Sequence, residues 1–80
     1  MNTHEDTTRS VLRLRQEQFT TSRDGTLVTE ISDLQLRQLP RQFEVDGVLF
    51  MFTRPDYNGD DVAGWNFQSR NGRRALIIND

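Results

Sequence analysis

The chain of 80 residues carries a net charge of −2 and has no cysteine. It is therefore limited to one domain without disulfide bonds, thiolate metal sites or thiol redox chemistry. The near balance of charge argues against a protein whose main ligand is nucleic acid or an anionic membrane. No apolar run approaches the roughly 18 residues that a membrane helix needs, and the polar N-terminus does not resemble a signal peptide. We expect a soluble, cytoplasmic protein.

The segment before the first turn signal is ambiguous between strand and helix. Leu12 and Leu14 alternate with arginines, which favours a strand. In a regular strand, however, Phe19 would lie on the opposite face from both leucines, because its number is odd and theirs are even. Residues 10–18 therefore form a strand that is bent by a bulge near Gln16, or residues 4–15 form a short helix instead. We prefer the bent strand.

Two hairpins are predicted from Asp-Gly pairs, which are strong turn signals between apolar runs. The first has a three-residue loop at 23–25, with a left-handed glycine, and pairs Ser22 with Thr26. The second has a two-residue turn at Asp46-Gly47, which pairs Val45 with Val48 and Phe43 with Phe50. The strand over 48–54 is apolar on both faces, which is typical of a central strand.

A short helical segment is predicted between these hairpins, in the sequence SDLQLRQLP (32–40). Ser32 or Asp33 is suited to cap a single helical turn, and Pro40 would end it. The leucines of this segment would supply an apolar plug: Leu34, Leu36 and Leu39.

The last hairpin has the clearest pattern. Asn71-Gly72 predicts a two-residue type I′ turn that pairs Arg70 with Arg73. One face of the pair is then apolar and is expected to join the core: Trp65, Phe67, Leu76 and Ile78. The opposite face carries Asn66, Gln68, Ala75 and Ile77.

Together these elements predict an all-β fold. We expect a small antiparallel meander of five or six strands, curled into a barrel or sandwich, with at most one short helical turn near residues 32–39. Residues 1–9 are expected to form a polar, flexible tail and residues 10–80 a single β domain, because apolar side chains are sparse at the N-terminus and dense from 43 to 52.

The residues that usually carry catalysis are scarce. The only histidine is His4, which argues against Ser-His-Asp and Cys-His arrangements and against multi-histidine metal sites. All ten basic residues are arginine, and a chain without lysine has neither a Schiff-base nucleophile nor a P-loop. We predict a protein that is not an enzyme and uses no cofactor; a small carboxylate-dependent enzyme is the remaining catalytic alternative.

The acidic sequence PDYNGDD (55–61) is either a cation site or a solvated turn. Asp56, Asn58 and Asp60 match the first three ligand positions of a calcium-binding EF-hand loop, but Asp61 stands where that loop requires glycine. We therefore predict no metal binding. The segment is interpreted as a hairpin connection that begins at its proline and reverses at its Asn-Gly pair.

These features predict a small non-catalytic protein-interaction module, such as an adaptor, an inhibitor or an accessory subunit, whose partner is an unidentified protein. The candidate partner-binding residues lie in the acidic loop and in the last turn: Asp56, Tyr57, Asp60, Asp61, Arg70, Arg73 and Arg74. The alternative is a domain that binds single-stranded nucleic acid through an arginine and amide face. Phe50 and Phe52 are expected in the core rather than on a stacking surface.

The predicted sheet leaves a second apolar face. Leu49 and Met51 lie opposite the main core, and the predicted register adds Ala75 and Ile77 to them. The polar residues expected around this patch are Gln42, Glu44, Gln68 and Arg70. Exposed patches of this kind mark contact sites. The cover comes either from the leucines of residues 32–40 or from a second copy in a homodimer, and we prefer the leucines.

Overall fold

The computed structural model describes residues 11–80, and the tail predicted at residues 1–9 lies outside them. One curled sheet forms a half-barrel, with the strand order β1-β4-β5-β6-β7-β3-β2. Its strands are β1 (Leu12–Leu14), β2 (Thr20–Thr21), β3 (Leu27–Glu30), β4 (Gln42–Val45), β5 (Val48–Asn58), β6 (Asp61–Ser69) and β7 (Arg74–Ile78). A 3₁₀ helix (Gln16–Gln18) follows β1, and the helix α1 (Ile31–Leu34) follows β3. The prediction of an all-β fold is confirmed.

The sheet has seven strands and is mixed, so the predicted antiparallel meander of five or six strands is wrong in these details. β1 is parallel to β4 and β3 is parallel to β7, whereas the other neighbouring pairs are antiparallel. The reason is that residues 15–19 carry the chain from β1 at one edge of the sheet to β2 at the other. A link of this length spans at most about 20 Å, so the two edges lie within that distance of each other.

Residues 11–18 do not form one continuous bent strand, and strand β1 occupies the described part of the alternative short helix. β1 ends at Leu14, and the 3₁₀ helix then turns the chain, with the N–H of Phe19 donating to the carbonyl oxygen of Gln16 at 2.9 Å. Leu14 and Phe19 both contribute to the same apolar cluster. The change of parity between them therefore comes from the helical turn and not from a bulge.

The core lies on the concave face of the sheet and is rich in phenylalanine rings. Phe43 and Phe50 are opposite each other on β4 and β5, as predicted, with ring centroids 5.6 Å apart. Asp46 and Gly47 have φ angles of 48° and 87°, as a type I′ turn requires. The buried apolar residues of this core are Leu14, Leu27, Phe43, Val45, Phe50, Phe67, Ala75 and Ile77.

Two of the three leucines of residues 32–40 pack against this core. Leu34 and Leu39 contact the apolar cluster on its concave side, so their predicted role as a cover for the opposite face is wrong. The N-cap of α1 is Glu30 rather than Ser32 or Asp33, because the helix begins directly where β3 ends. Among residues 11–80, no helix is long and apolar enough to cross a membrane.

The register predicted for the last hairpin is wrong by one residue. Phe67 lies opposite Ala75, whereas a two-residue turn would have placed it opposite Leu76. The shift turns Ala75 and Ile77 into the core, where they are 1% and 0% exposed. The prediction that these two residues belong to an outer apolar patch is therefore wrong, because a one-residue slip moves every side chain to the other face.

The register differs because the connecting loop has three residues, Arg70–Gly72. The N–H of Ser69 donates to the carbonyl oxygen of Arg73 at 2.8 Å, and Gly72 has a φ of 92°. The N–H of Arg73 in turn donates to the hydroxyl of Ser69 at 3.0 Å and to the side-chain oxygen of Asn71 at 3.3 Å. These side-chain bonds stabilise the longer loop in a sequence whose Asn-Gly pair alone predicts a shorter one.

A hydroxyl group without a partner lies in the core. Within residues 11–80, the Oγ1 atom of Thr29 is the buried side-chain polar atom for which no hydrogen bond is found. Because a buried unpaired hydroxyl is destabilising by about 1–3 kcal/mol, we expect Thr29→Val to raise the free energy of unfolding by about 1 kcal/mol in urea denaturation. Thr53→Val is the control, since that hydroxyl donates to the carbonyl oxygen of Asn66 at 3.0 Å. A Thr29→Val protein that is no more stable than the wild type would contradict the expectation.

Candidate functional site

Two loops with the same sequence pattern lie side by side at one end of the sheet. Residues 22–25 are Ser-Arg-Asp-Gly and residues 69–72 are Ser-Arg-Asn-Gly. In the first loop, as predicted, the N–H of Ser22 donates to the carbonyl oxygen of Thr26 at 2.9 Å, and Gly25 has a φ of 88°. The loops are adjacent because they precede β3 and β7, which are parallel neighbours.

The third residue of each loop holds the turn together. The hydroxyl of Ser22 donates to the carboxylate of Asp24, which also accepts a backbone N–H across the loop at 3.1 Å. Ser69 and Asn71 make the equivalent bonds in the second loop. Arg74 connects the two loops, because its Nη2 atom lies 3.5 Å from Oδ2 of Asp24. The two loops therefore present one surface.

These bonds lower the pKa of Asp24 to about 2 from its ordinary value of 3.8. The largest cause is the hydrogen bond from the hydroxyl of Ser22, followed by the hydroxyl and the N–H of Thr26, and the guanidinium of Arg74 adds to them. All of these groups favour the charged carboxylate. Because the pKa in the folded state is below the unfolded value, Asp24 stabilises the fold above about pH 4, and this contribution is lost as the pH falls towards about 2.

We expect Asp24→Asn to remove this part of the acid sensitivity. The loop should keep its geometry, because Asn71 holds the same position in the second loop. The measurement is the thermal midpoint of both proteins from about pH 5 to pH 2, where the wild type should lose more stability than the variant. Asp33→Asn controls for the removal of one exposed carboxylate elsewhere. Equal losses in the wild type and the Asp24→Asn protein would contradict the prediction.

The end of the sheet with the two loops is basic. The three acidic side chains beside it are already engaged: Glu17 lies 3.9 Å from Arg15, Asp24 is bonded within its loop, and Asp46 accepts the N–H of Gln16 at 3.3 Å. Five arginines belong to this end: Arg15, Arg23, Arg70, Arg73 and Arg74. Arginines outnumber acids there, so we expect a positive potential.

An open groove of about 900 Å³ on the outer face of the sheet reaches this basic end. Leu49 and Met51, which are 40% and 54% exposed, form its apolar part. Arg70 lines the end of the groove, and Gln68 lies beside Met51 across the strands. Among residues 11–80, no acidic side chain lies within 4.0 Å of the Arg70 guanidinium. The groove thus combines two exposed apolar side chains with an arginine that has no acidic partner in this part of the chain.

The acidic segment lies at the opposite end of the molecule, on a projecting hairpin. The pairing of β4 with β5 ends at Met51, and that of β7 with β6 ends at Gly64. Asn79 makes the last bonds to β6, because its N–H donates to the carbonyl oxygen of Ala63 at 2.9 Å and its side-chain amide donates to that of Val62 at 2.7 Å. Beyond these points β5 and β6 form a two-stranded ribbon, which we call the acidic hairpin (residues 55–63). The interpretation of 55–61 as a long connection is wrong, because β5 continues to Asn58 and the reversal is the two-residue turn Gly59-Asp60.

Pro55 stands inside β5 and does not end it. Proline is tolerated there because β5 has lost its β4 neighbour and has become an edge strand. Two irregularities in pairing flank this position, between Phe52 and Arg54 and between Asp56 and Tyr57. Proline and bulges both hinder pairing with a further strand. A partner would therefore bind the side chains of the hairpin and would not add a strand to its backbone edge.

The acidic hairpin exposes one aromatic ring and three carboxylates. Tyr57 is 62% exposed, and Asp56, Asp60 and Asp61 are exposed as well. None of the three carboxylates lies within 4.0 Å of a basic group in residues 11–80. Over the same residues, no three acidic or histidine side chains come together as they would to hold a metal ion. The hairpin therefore presents dispersed negative charge around an aromatic side chain.

The predicted partner-binding residues thus fall into two separate groups, one on the acidic hairpin and one at the basic end. Arg74 lies opposite Gln68 on the outer face, where the predicted register had Ala75. Sequence reasoning expected Gln68 and Arg70 at the edge of the patch of Leu49 and Met51, and both residues line the same groove. It missed the adjacency of the two loops, for which the repeated Ser-Arg-(Asp/Asn)-Gly pattern was an available signal.

Comparisons with known proteins do not connect these surfaces with an activity. No protein-family model, no curated protein and no solved structure matches this chain. The shape and charge of its own surfaces are therefore the basis for a functional proposal.

Proposed function

We propose that this protein is a non-catalytic interaction module that binds an acidic segment of a partner protein in the outer groove. The observation that carries the proposal is the combination of exposed Leu49 and Met51 with Arg70 in one groove. Large apolar side chains are normally buried, and when they are exposed together they mark contact sites. Methionine and arginine are also among the residue types enriched at protein interfaces.

The chemistry of the groove selects for a segment with carboxylates and at least one bulky apolar side chain. The apolar side chain would pack on Leu49 and Met51. Arg70 would then pair with a carboxylate through two parallel hydrogen bonds, which the guanidinium allows and an ammonium does not. Glu44 borders the groove across from Leu49, but its carboxylate lies 3.8 Å from Nε of Arg13, which partly neutralises it.

Single-stranded nucleic acid fits these surfaces less well. Binding of this kind relies on exposed aromatic rings on which bases stack. Phe50 is fully buried and Phe52 packs against the core. Neither ring is therefore available for base stacking beside the arginines of the outer face. Tyr57 is exposed, but it lies on the acidic hairpin at the other end of the molecule.

The test is binding of labelled 12-residue peptides by fluorescence anisotropy, with NMR shifts to locate the site. A peptide of glutamates and aspartates around one tyrosine should bind and shift the signals of Leu49, Met51 and Arg70. Arg70→Gln should weaken binding about tenfold, because it removes a charged hydrogen bond. Arg37→Gln, which removes an exposed arginine outside the groove, should leave binding unchanged.

Two results would count against this function. The first is equal binding of a peptide with lysines in place of the acids. The second is stronger, salt-sensitive binding of a short single-stranded RNA, which would favour the nucleic-acid alternative.

A further inference from the structure

We infer that the acidic hairpin of one copy of this chain occupies the outer groove of another copy, so that the protein self-associates head to tail. The inference rests on the proposed function of the groove and names its occupant. A ligand of this groove carries carboxylates and a bulky apolar side chain. The acidic hairpin presents both, because Tyr57 is next to Asp56 and close to Asp60 and Asp61.

The hairpin cannot reach the groove of its own molecule. β5 lines the groove from Val48 to Thr53 and ends in the hairpin at Asn58. The strand runs from the groove towards the tip of the hairpin, and a rise of about 3.3 Å per residue places Tyr57 about 13 Å beyond Thr53. Because β5 is paired with β6 along this length, the hairpin does not fold back onto the groove of its own sheet. Only the hairpin of a different molecule can enter the groove.

The side chains on the two surfaces match in chemistry. The ring of Tyr57 fits the apolar surface of Leu49 and Met51, since aromatic rings make favourable contacts with thioether sulfur and tyrosine keeps its hydroxyl free for water at the rim. Asp60 or Asp61 then supplies the carboxylate for Arg70. In residues 11–80 neither the arginine nor the aspartates lie within 4.0 Å of a charged partner that would compete for them.

Both surfaces are ordered before they meet. The hairpin is a hydrogen-bonded ribbon, and the groove lies on the paired strands β5 and β6. Binding between ordered surfaces avoids much of the entropy that a flexible segment would lose. The contact is small, however, because it involves few large side chains, and interfaces of that kind are weak and transient. Because charge contributes to it, we expect self-association that rises with protein concentration and falls with added salt.

The two surfaces differ from each other, so the contact is heterologous. Each molecule keeps a free hairpin at one end of the assembly and a free groove at the other. Contacts of this kind extend a row of molecules or close it into a ring, and the smallest ring is a reciprocal dimer in which each hairpin enters the groove of the other copy. This differs from a homodimer in which the patch of Leu49 and Met51 meets its own copy.

The test uses two full-length variants that each lack one surface. The groove variant carries Leu49→Ser with Arg70→Ser and keeps its hairpin. The hairpin variant carries Tyr57→Ser with Asp60→Asn and Asp61→Asn and keeps its groove. All five positions are exposed, so both variants should fold, and circular dichroism and NMR dispersion check this. Asp33→Asn is the matched control for the removal of an exposed acid outside the hairpin.

We expect the mass of the wild type by light scattering to rise with concentration up to about 1 mM, and each variant alone to stay a monomer. An equimolar mixture of the two variants should form dimers and nothing larger, because one functional groove meets one functional hairpin. In that mixture the signals of Leu49, Met51 and Arg70 of the labelled hairpin variant should shift. The Asp33→Asn protein should associate like the wild type.

A wild type that stays monomeric, or that associates equally well with either surface removed, overturns the inference. If the wild type stays monomeric but acidic peptides still bind the groove in the anisotropy experiment, self-association is wrong and the proposed function stands. If acidic peptides do not bind and the mixed variants do not form dimers, both are wrong.

Discussion

Replacement of Phe43 by alanine is expected to lower the free energy of unfolding by about 3–5 kcal/mol. The ring is fully buried, and the ring centroids of Phe67, Phe50 and Phe19 lie 4.7, 5.6 and 6.1 Å from its own. A domain of this size has a total stability of about 4–10 kcal/mol. The Phe43→Ala protein should therefore lose about half of its stability, which urea denaturation measures as a lower unfolding midpoint.

A milder substitution makes the effect measurable if the alanine variant does not fold. Phe43→Leu keeps most of the apolar volume and should lower the free energy of unfolding, measured by urea denaturation, by about 1–2 kcal/mol. Phe52→Ala is the control, because that ring packs at the margin of the cluster and is only partly buried. If Phe52→Ala were as destabilising as Phe43→Ala, the stack of rings around Phe43 would not be the centre of the core.

Replacement of Gly64 by alanine is expected to cost about 3 kcal/mol and to lower the thermal midpoint by about 12–24 °C. A Cβ atom at this position would lie 2.8 Å from the carbonyl oxygen of Ile77 and 3.2 Å from Cδ1 of Leu76. The α-carbon of Ile78 would be 3.4 Å away. Because the closest of these atoms belongs to the backbone, β7 would have to move away from β6 and weaken the pairing that ends at this point.

Gly59→Ala separates this steric effect from the general cost of replacing glycine. Gly59 has a φ of 66°, and an added Cβ atom there would meet nothing within 4 Å. Its replacement should lower the free energy of unfolding by about 1 kcal/mol, because alanine is less stable than glycine in the left-handed conformation. Differential scanning calorimetry of both variants gives the comparison. Similar midpoints for Gly64→Ala and Gly59→Ala would mean that β6 and β7 do not approach as closely as the structure has them.

Local features of the fold were predictable from the sequence, and register and topology were less so. The turn at Asp46-Gly47 and the loop at Gly25 were predicted because positive φ angles are a local requirement that Asp-Gly meets. Asn71-Gly72 suits both a two-residue and a three-residue loop, and the hydroxyl of Ser69 decides between them. The parallel pairs β1–β4 and β3–β7 join segments that are distant in the chain, so no local pattern indicates them.

The candidate site was predictable in its parts but not in its arrangement. The sequence separates the acids at 56–61 from the arginines at 70–74, and the structure has these groups at opposite ends of the sheet. The exposure of Leu49 and Met51 follows from the apolar character of both faces of β5. Arg70 was expected beside them, but the predicted members of the patch on β7 were wrong, because they depend on a loop whose length the sequence leaves open.

The passage of the chain from one edge of the sheet to the other has a consequence for biosynthesis. β1 and β3 leave the ribosome early, but their parallel partners β4 and β7 follow much later. The half-barrel therefore cannot close co-translationally until β7 has emerged, and the apolar side chains of Leu12, Leu14 and Leu27 stay uncovered in the meantime. Uncovered apolar side chains make a nascent chain prone to aggregation during that interval, and slow translation of residues 31–78 would prolong it.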